Sequence, residues 1–260
     1  MASSVAQTGV SPIHLPDLQG GTALVTGASR GIGKAVTEAL AAHDVRCFSL
    51  AHEGFASDLP PQVVPIPCDL ARAETIEQVI ASVSAQTESL DYLVNVAGID
   101  PKYRLEDGKA DIWDSIVDLN LRAYYLLIRG CLRLLHRGRG RSIVNVSSIN
   151  YRLGIVGRSI YSTTKAGILG LTTGLARELG QDGIRINTVS PGWVFTERQI
   201  EEYFSGPHAE KYLVTLAEKQ ALSLHIDPMD IANHVLFYLS KVSRASTGHN
   251  CVVDGGWLLE

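Results

Sequence analysis

The sequence predicts an α/β fold: one open, doubly wound parallel sheet of seven strands with helices on both faces. Three observations carry that prediction. Short β-branched runs alternate with longer amphipathic ones, the pattern of parallel strands joined by crossover helices. The first of these strands runs into a glycine-rich turn, Thr26-Gly-Ala-Ser-Arg-Gly-Ile-Gly33, that opens a helix. Far downstream, Ile143-Val-Asn-Val-Ser-Ser148 is an apolar run ending in hydroxyls, as expected of a buried parallel strand that delivers Ser148 at its carboxyl end. With 260 residues and 45% hydrophobic composition, the chain can bury a sizeable core as one α/β domain.

In chain order, residues 1–20 mix Ser, Gly, Pro and Gln and read as a mobile leader, with a packed arm as the alternative, ahead of a single domain over 21–260. The β-branched runs predict strands at Thr22–Thr26, Val45–Leu50, Val63–Pro67, Tyr92–Val96, Ser142–Ser147, Ile184–Ser190 and Asn250–Val253. Amphipathic spacing predicts helices over 31–42, 73–86, 111–136, 161–180 and 228–239, with further pieces between 197 and 221. Asp227-Pro-Met-Asp230 is a helix start, with a capping side chain, proline in the first turn and a carboxylate near the positive helix end. The stretch Trp193–Ile226 breaks the alternation with mixed aromatic, charged and Gly-Pro residues. A long excursion of that kind reads as a lid or binding segment, with an ordinary helical insertion as the alternative.

Composition narrows the partners. Lys and Arg total 23 against 27 Asp and Glu, a net charge of −4 with no recurring basic block, which argues against nucleic acid. The densest basic run, Arg137-Gly-Arg-Gly-Arg141, reads as a solvated helix-to-strand loop. Cys47, Cys68, Cys131 and Cys251 lack the paired spacing of zinc or redox motifs and read as reduced thiols, and the eight histidines form no ligand motif. No apolar run reaches membrane-spanning length and no signal-like N-terminus is present, so a cytoplasmic protein without a membrane partner is expected.

Tyr161-Ser-Thr-Thr-Lys165 begins thirteen residues beyond Ser148 and places two complementary groups four apart. Such positions share one helix face, so the ammonium lies beside the phenol. A phenol titrates near pH ~10, too high for a base near neutrality, and a neighbouring cation favours phenolate. Tyr161 is therefore the candidate to exchange a proton with an alcohol or carbonyl oxygen. A tyrosine and lysine four apart also arise by chance. The hydroxyl-tipped strand upstream selects the catalytic reading, because ligands of open α/β sheets collect at the carboxyl edge.

The glycine-rich turn supplies the other half of a redox site. Glycine stands where backbone must approach a dinucleotide, and a pyrophosphate meets free helix N–H groups there. The spacing is Gly-x-x-x-Gly-x-Gly rather than the commoner Gly-x-Gly-x-x-Gly. Together with Asn95-Val-Ala-Gly98, Asn120, Ser148, Tyr161, Lys165 and Pro191-Gly192, in one order from about Leu18 through Trp257, these residues resemble the short-chain dehydrogenase/reductase family of Rossmann-type oxidoreductases. Val96 departs from that family's usual Asn-Asn-Ala-Gly.

The resemblance implies that Ser148 orients and polarises the reacting oxygen and Tyr161 transfers the proton. Lys165 lowers the tyrosine pKa and contacts the nicotinamide ribose, while Asn120 holds a water that links Lys165 to solvent. It implies a cofactor site of Gly27, Ser29, Arg30, Gly31, Ile32 and Gly33 at the turn, with Asp69 near the adenine amino group and Leu70 beside it. Asn95, Ala97 and Gly98, then Tyr161 and Lys165, continue that site, and Pro191, Gly192, Val194 and Thr196 cover the nicotinamide. No metal is implied. A homotetramer or homodimer is, built partly from the helices over 111–136 and 161–180.

The acidic residue that commonly holds the adenosine ribose is missing from Ser49-Leu-Ala-His52 at the end of the second strand. Arg30 suits a ribose phosphate, so NADP is favoured over NAD, although Glu53 lies close to the expected place and keeps NAD open. Asn150, Arg158, Trp193 and Gln199 are polar candidates around the opening, and Ser148, Asn150, Tyr161, Trp193 and Gln199 form the expected substrate site. The Pro191–Gln199 run and Val253-Asp-Gly-Gly-Trp257 resemble relatives that oxidise aldoses at C1, which implies a small sugar or polyol. An indole and several amides suit a polyhydroxylated molecule, with core packing of Trp193 or Trp257 as the alternative. The nearest rival is a 3-oxoacyl-carrier-protein reductase, with Arg122 and Arg129 available to dock an acidic carrier. A catalytically silent nucleotide-sensing scaffold is the rival of another class, against which the complete set of Asn120, Ser148, Tyr161 and Lys165 argues.

Overall fold

Val, Ile and Leu fill the strand runs because a parallel sheet covered on both faces leaves no solvent side. In the computed structural model, which describes residues 10–52 and 54–259, those runs are β1 (Thr22–Thr26), β2 (Arg46–Ala51), β3 (Val63–Pro67), β4 (Tyr92–Asn95), β5 (Ser142–Val146), β6 (Arg185–Pro191) and β7 (Asn250–Val253). They pair in parallel in the order β3-β2-β1-β4-β5-β6-β7. Val25 of β1 faces Ser49 of β2 on one side and Val94 of β4 on the other. The order reverses between β1 and β4. Crossovers leave in opposite directions there, which opens a crevice at the carboxyl edge of the sheet.

The helices are α1 (Gly31–Ala41), α2 (Ala73–Gln86), α3 (Ala110–Val117), α4 (Ala123–Arg137), α5 (Asn150–Leu153), α6 (Ser159–Gly180), α7 (Glu197–Gln199), α8 (Ala209–Lys219) and α9 (Pro228–Leu239). One face of the sheet buries Val36, Ala39 and Leu40 of α1 with Ile231, Val235 and Leu236 of α9. The other buries Ile76, Val79 and Val83 of α2 with Leu127, Cys131 and Leu134 of α4, at three- and four-residue spacing. The start of α9 is a capping box: Asp227 Oδ1 accepts from the Met229 amide at 2.8 Å, and Asp230 Oδ2 accepts from the Asp227 amide at 2.8 Å.

Three sequence expectations are corrected. The single helix expected over 111–136 is interrupted by a π turn at Asp118–Arg122, where the Ala123 amide bonds the carbonyl of Asp118. Periodicity cannot separate a wide turn from a normal one, since it shifts the apolar face by only one residue. The short helix α5 was not expected, because four residues carry no periodicity. The described part of the leader is packed rather than mobile. Leu15 and Leu18 are buried in the core, the Leu15 amide donates to His43 Nε2 at 3.0 Å, and Asn233 bonds both Ile13 and Ser11. Asp17 accepts from Ser240 Oγ and the Lys241 amide at 2.8 and 2.7 Å. Two leucines at the right spacing outweigh a polar composition. Glu53 lies outside the described residues, and no helix among them is long and apolar enough to cross a membrane.

Candidate active site

At the carboxyl edge, the glycine-rich turn is shaped by contacts that exclude side chains. A Cβ on Gly33 would meet the Gly27 carbonyl oxygen at 2.1 Å, and Gly27 itself has φ +64 and lies against Ala97. Thr26 Oγ1 ties the turn to the end of β4, accepting from the Val96 and Ala97 amides at 2.8 and 3.0 Å. The result is a cradle of bare backbone at the start of α1, where the first-turn amides of the helix can meet an anion. Arg30 is exposed beside it. This cradle fits the pyrophosphate of a dinucleotide. A carboxylate already tests the site, since Glu197 Oε2 accepts from the Gly31 amide at 3.2 Å.

Ser148 follows β5, and Tyr161 and Lys165 project from the first turns of α6. The Ser148 hydroxyl stands beside the Tyr161 phenol and favours its ionised form. Asn150 points its backbone and side-chain nitrogens at Ser148 Oγ, at 3.2 and 3.3 Å, while its Oδ1 is buried without a partner. Lys165 Nζ donates to the Val146 carbonyl at 3.0 Å and lies 5.6 Å from the Tyr161 ring centre. Asn120, at the middle of the π turn, clamps Ile99: its Oδ1 accepts from the Ile99 amide at 2.9 Å and its Nδ2 donates to the Ile99 carbonyl at 2.8 Å. The spacing of four therefore brings the phenol and ammonium together as expected.

Their electrostatics differ from the sequence expectation. Burial pushes Tyr161 up to about 12, against lowering influences from Ser148, Arg158 and Arg198. Burial also pushes Lys165 down to about 8, with Asp100 opposing. Lys165 still carries its charge at neutral pH, so it is the desolvation of the phenol itself that outweighs the lowering influence of its neighbours. The phenol is protonated at neutral pH and is set up to donate.

Several other expected residues gather here. Ile32, Gly98, Asn150, Gly192, Val194 and Thr196 all line one cavity of about 470 Å³ whose floor is Ser148, Tyr161 and Lys165. Gly192 permits close passage over Asp254, whose Cα and Cβ would lie 2.7 Å from an added Cβ. The Val194 carbonyl accepts from the Thr196 amide at 2.9 Å, and Thr196 in turn caps α7. Trp193 and Gln199 also line the cavity, but they bond to each other: indole Nε1 donates to Gln199 Oε1 at 2.7 Å. Trp193 packs edge-on against Tyr203, Tyr212 and Trp257, so the stacking and packing readings of this indole both describe its surroundings.

The Asn95 side chain is fully buried and donates to Asn145 across the sheet at 2.9 Å, within a chain that continues through Thr172 to Thr188. Asp69 accepts from the Ala71 amide at 3.0 Å, and Leu70 is buried in the core. Ser29 lies near Gly54 in the loop after β2. The sequence reading missed Asp100, Lys102, Arg198 and Tyr203, which also line the cavity. Asp100 follows Gly98 by two residues at the carboxyl edge, a position that could have flagged it.

The comparisons agree with this geometry. The family model described as Enoyl-(Acyl carrier protein) reductase matches residues 27–258. A D-xylose 1-dehydrogenase of Caulobacter vibrioides is 34% identical, covering 93% of this chain and 97% of its own. A 3-oxoacyl-[acyl-carrier-protein] reductase of Vibrio cholerae is 33% identical, covering 92% and 98%. The solved ligand-free aldohexose dehydrogenase of Thermoplasma acidophilum superposes with a TM-score of 0.85 at 28% identity, covering 94% and 96%. The chain therefore belongs to the short-chain dehydrogenase/reductase family, enzymes that move hydride between a nicotinamide cofactor and a small alcohol or carbonyl compound.

Proposed function

We propose that this enzyme interconverts the alcohol and carbonyl forms of a small sugar or polyol, with NADP favoured over NAD. The observation that carries the reading is the buried, unpartnered Asn150 Oδ1 beside Ser148, in a cavity walled by aromatic rings. An acceptor so placed selects a substrate with a hydroxyl next to the reacting one, because burying it unpaired costs about 1–3 kcal/mol. When bound, the nicotinamide supplies or takes the hydride. The chain's own residues do the rest. Ser148 donates to the reacting oxygen, Tyr161 gives or takes its proton, and Lys165 passes the proton onward. The Asn120 carboxamide is engaged with Ile99, so a water toward Lys165 would rest on its backbone carbonyl.

The dinucleotide would lie over Gly27, Ser29, Arg30, Gly31, Ile32 and Gly33, with Asp69 and Leu70 at the adenine, Ala97 and Gly98 along the ribose, and Pro191, Gly192, Val194 and Thr196 at the nicotinamide. Arg30, exposed and beside the cradle, is the residue for a ribose phosphate. Arg30→Ala is expected to weaken NADPH binding by about 2 kcal/mol, roughly thirtyfold, and NADH far less. Fluorescence titration with both reduced cofactors decides it, and equal weakening assigns Arg30 to the shared pyrophosphate.

The segment over 193–226 acts as the substrate lid in this reading. Asn150→Ala and Gln199→Ala should change the ranking of kcat/KM among sugar epimers by about tenfold while changing melting temperature little. An unchanged ranking for both variants counts against a polyol. The overall test is nicotinamide absorbance with purified protein, sugars, polyols and a 3-oxoacyl thioester. Preference for the thioester would replace the sugar reading by the acyl one. Against the acyl reading, Arg122 is held by Asp118 at 3.0 Å and by the Ala71 carbonyl at 2.8 Å, which leaves Arg129 to face a carrier. We also expect a cytoplasmic homotetramer or homodimer. Gly170 and Gly174 in α6 have open space around them, and mid-helix glycine at an exposed site makes sense where another helix approaches closely.

A further inference from the structure

The cavity wall carries more positive charge than a proton relay needs. Besides Lys165, its charged residues are Lys102, Arg158 and Arg198 against the one carboxylate of Asp100. Asp100 bridges two guanidiniums, with Oδ2 2.6 Å from Arg158 Nη1 and Oδ1 2.5 Å from Arg198 Nη2. Arg198 is half-exposed and has a second acid, Glu202, at 3.8 Å. Arg158 is different. Its side chain is only 9% exposed, and its remaining partners are neutral: the Asp100 backbone carbonyl and the Tyr203 hydroxyl at 3.3 Å. Lys102 holds its ammonium 4.7 Å from the Tyr203 ring centre and has no carboxylate partner among the described residues.

Asp100 is shared by two guanidiniums and the second acid, Glu202, stands with the half-exposed Arg198, so the buried Arg158 has only a share of one carboxylate and the exposed Lys102 at the rim has none. Burial of unpaired charge is costly, so such a wall favours a ligand that brings the counter-charge. We propose that the substrate supplies it: a carboxylate on the reacting molecule seats against Arg158 and Lys102 while its alcohol or carbonyl meets Ser148 and Tyr161. The Arg158 Cζ lies 5.8 Å from the Tyr161 ring centre. A carboxylate on that guanidinium and an oxygen at the Tyr161 hydroxyl can therefore belong to one small molecule. A guanidinium fork matches the two carboxylate oxygens, and Asp100 acts as the positioning residue that fixes the fork. The inference rests on the alcohol–carbonyl reading of the Tyr161 site and narrows the proposed sugar or polyol to one that bears an acid.

The test compares acids with their neutral counterparts, D-galacturonate with D-galactose and 3-hydroxybutyrate with butan-2-ol, using NAD⁺ and NADP⁺ in turn. In at least one pair the acid should have the higher kcat/KM by about tenfold, and salt should erode the preference. Arg158→Gln should lower that preference about tenfold through KM for the acid, with Arg158→Lys restoring part of it. Lys102→Gln, at an exposed position where folding is not at stake, should lower it by roughly threefold. Neutral members used as well as acids, or a preference untouched by Lys102→Gln and by any folded Arg158 variant, overturn the carboxylate seat while leaving the alcohol–carbonyl reading intact. Turnover of none of the four with either cofactor overturns that underlying reading, and the seat with it.

Discussion

Tyr161→Phe is expected to lower kcat by about 10²–10⁴ while leaving cofactor affinity nearly unchanged. The substitution removes one hydroxyl and almost no volume, so the ring keeps its place beside Lys165. What disappears is the transferable proton. Burial holds that proton on the phenol, at a pKa of about 12, so at neutral pH the native enzyme presents a donor to a carbonyl oxygen. Ser148 remains, still bonded by both nitrogens of Asn150, and can polarise the oxygen but has no path to relay charge outward. Single-turnover rates with saturating reduced cofactor, alongside fluorescence titration of the same cofactor, measure the two quantities separately. Near-native turnover in the variant would remove Tyr161 from the chemistry. A parallel loss of cofactor affinity would make it a structural support instead.

Lys165→Met is expected to lower kcat/KM by about a hundredfold or more, because it deletes the cation beside the reacting oxygen and the proton's way out. It has a second, opposite consequence for stability. Burial depresses the Lys165 ammonium from 10.5 to about 8. Because the folded pKa is the lower one, the unfolded chain binds more protons between those two values, and stability attributable to this group rises with pH across that window. Below pH 8 the lysine is charged in both states and the full cost of burying it, about 3 kcal/mol, is present. Above pH 10.5 it is neutral in both states and the cost is gone. Methionine has no such dependence. Urea unfolding at pH 7.5 and at pH 10 should therefore show the native enzyme gaining on the variant by about 1–3 kcal/mol as pH rises. Parallel stabilities at the two pH values would mean that the ammonium is solvated and that its place in the relay needs revision.

Local sequence rules were sufficient for most of the frame. Continuous β-branched runs located the seven strands and periods of three to four residues the long helices, since those patterns record which side chains a covered parallel sheet must bury. The boundaries moved by a residue or two, as with Asn95, where β4 ends one position early. The turn at Gly27–Gly33 was legible because only glycine tolerates a carbonyl 2.1 Å from where a Cβ would sit. Tyr161 and Lys165 were legible because four residues is one helical turn, and Ser148 because a buried strand that ends in hydroxyls has somewhere to deliver them.

What the sequence could not contain is the outcome of competitions between distant groups. Composition marked residues 10–20 as loose, yet Leu15, Leu18 and Asp17 find partners in the core, His43 and the end of α9. Helical spacing set Lys165 to lower the Tyr161 pKa, but only the folded enclosure reveals that desolvation acts on both groups and outweighs their attraction. The Asn95 side chain bonds Asn145, fifty residues away, a pairing that only the sheet order creates. Asp100 joins Arg158 and Arg198 only because the segments that follow β4, β5 and β6 converge at the carboxyl edge. Periodicity is a property of neighbours along the chain, so sequence alone determined the frame and the grouping of Ser148, Tyr161 and Lys165. Charge balance and burial are properties of neighbours in space, and the tertiary structure alone decided them.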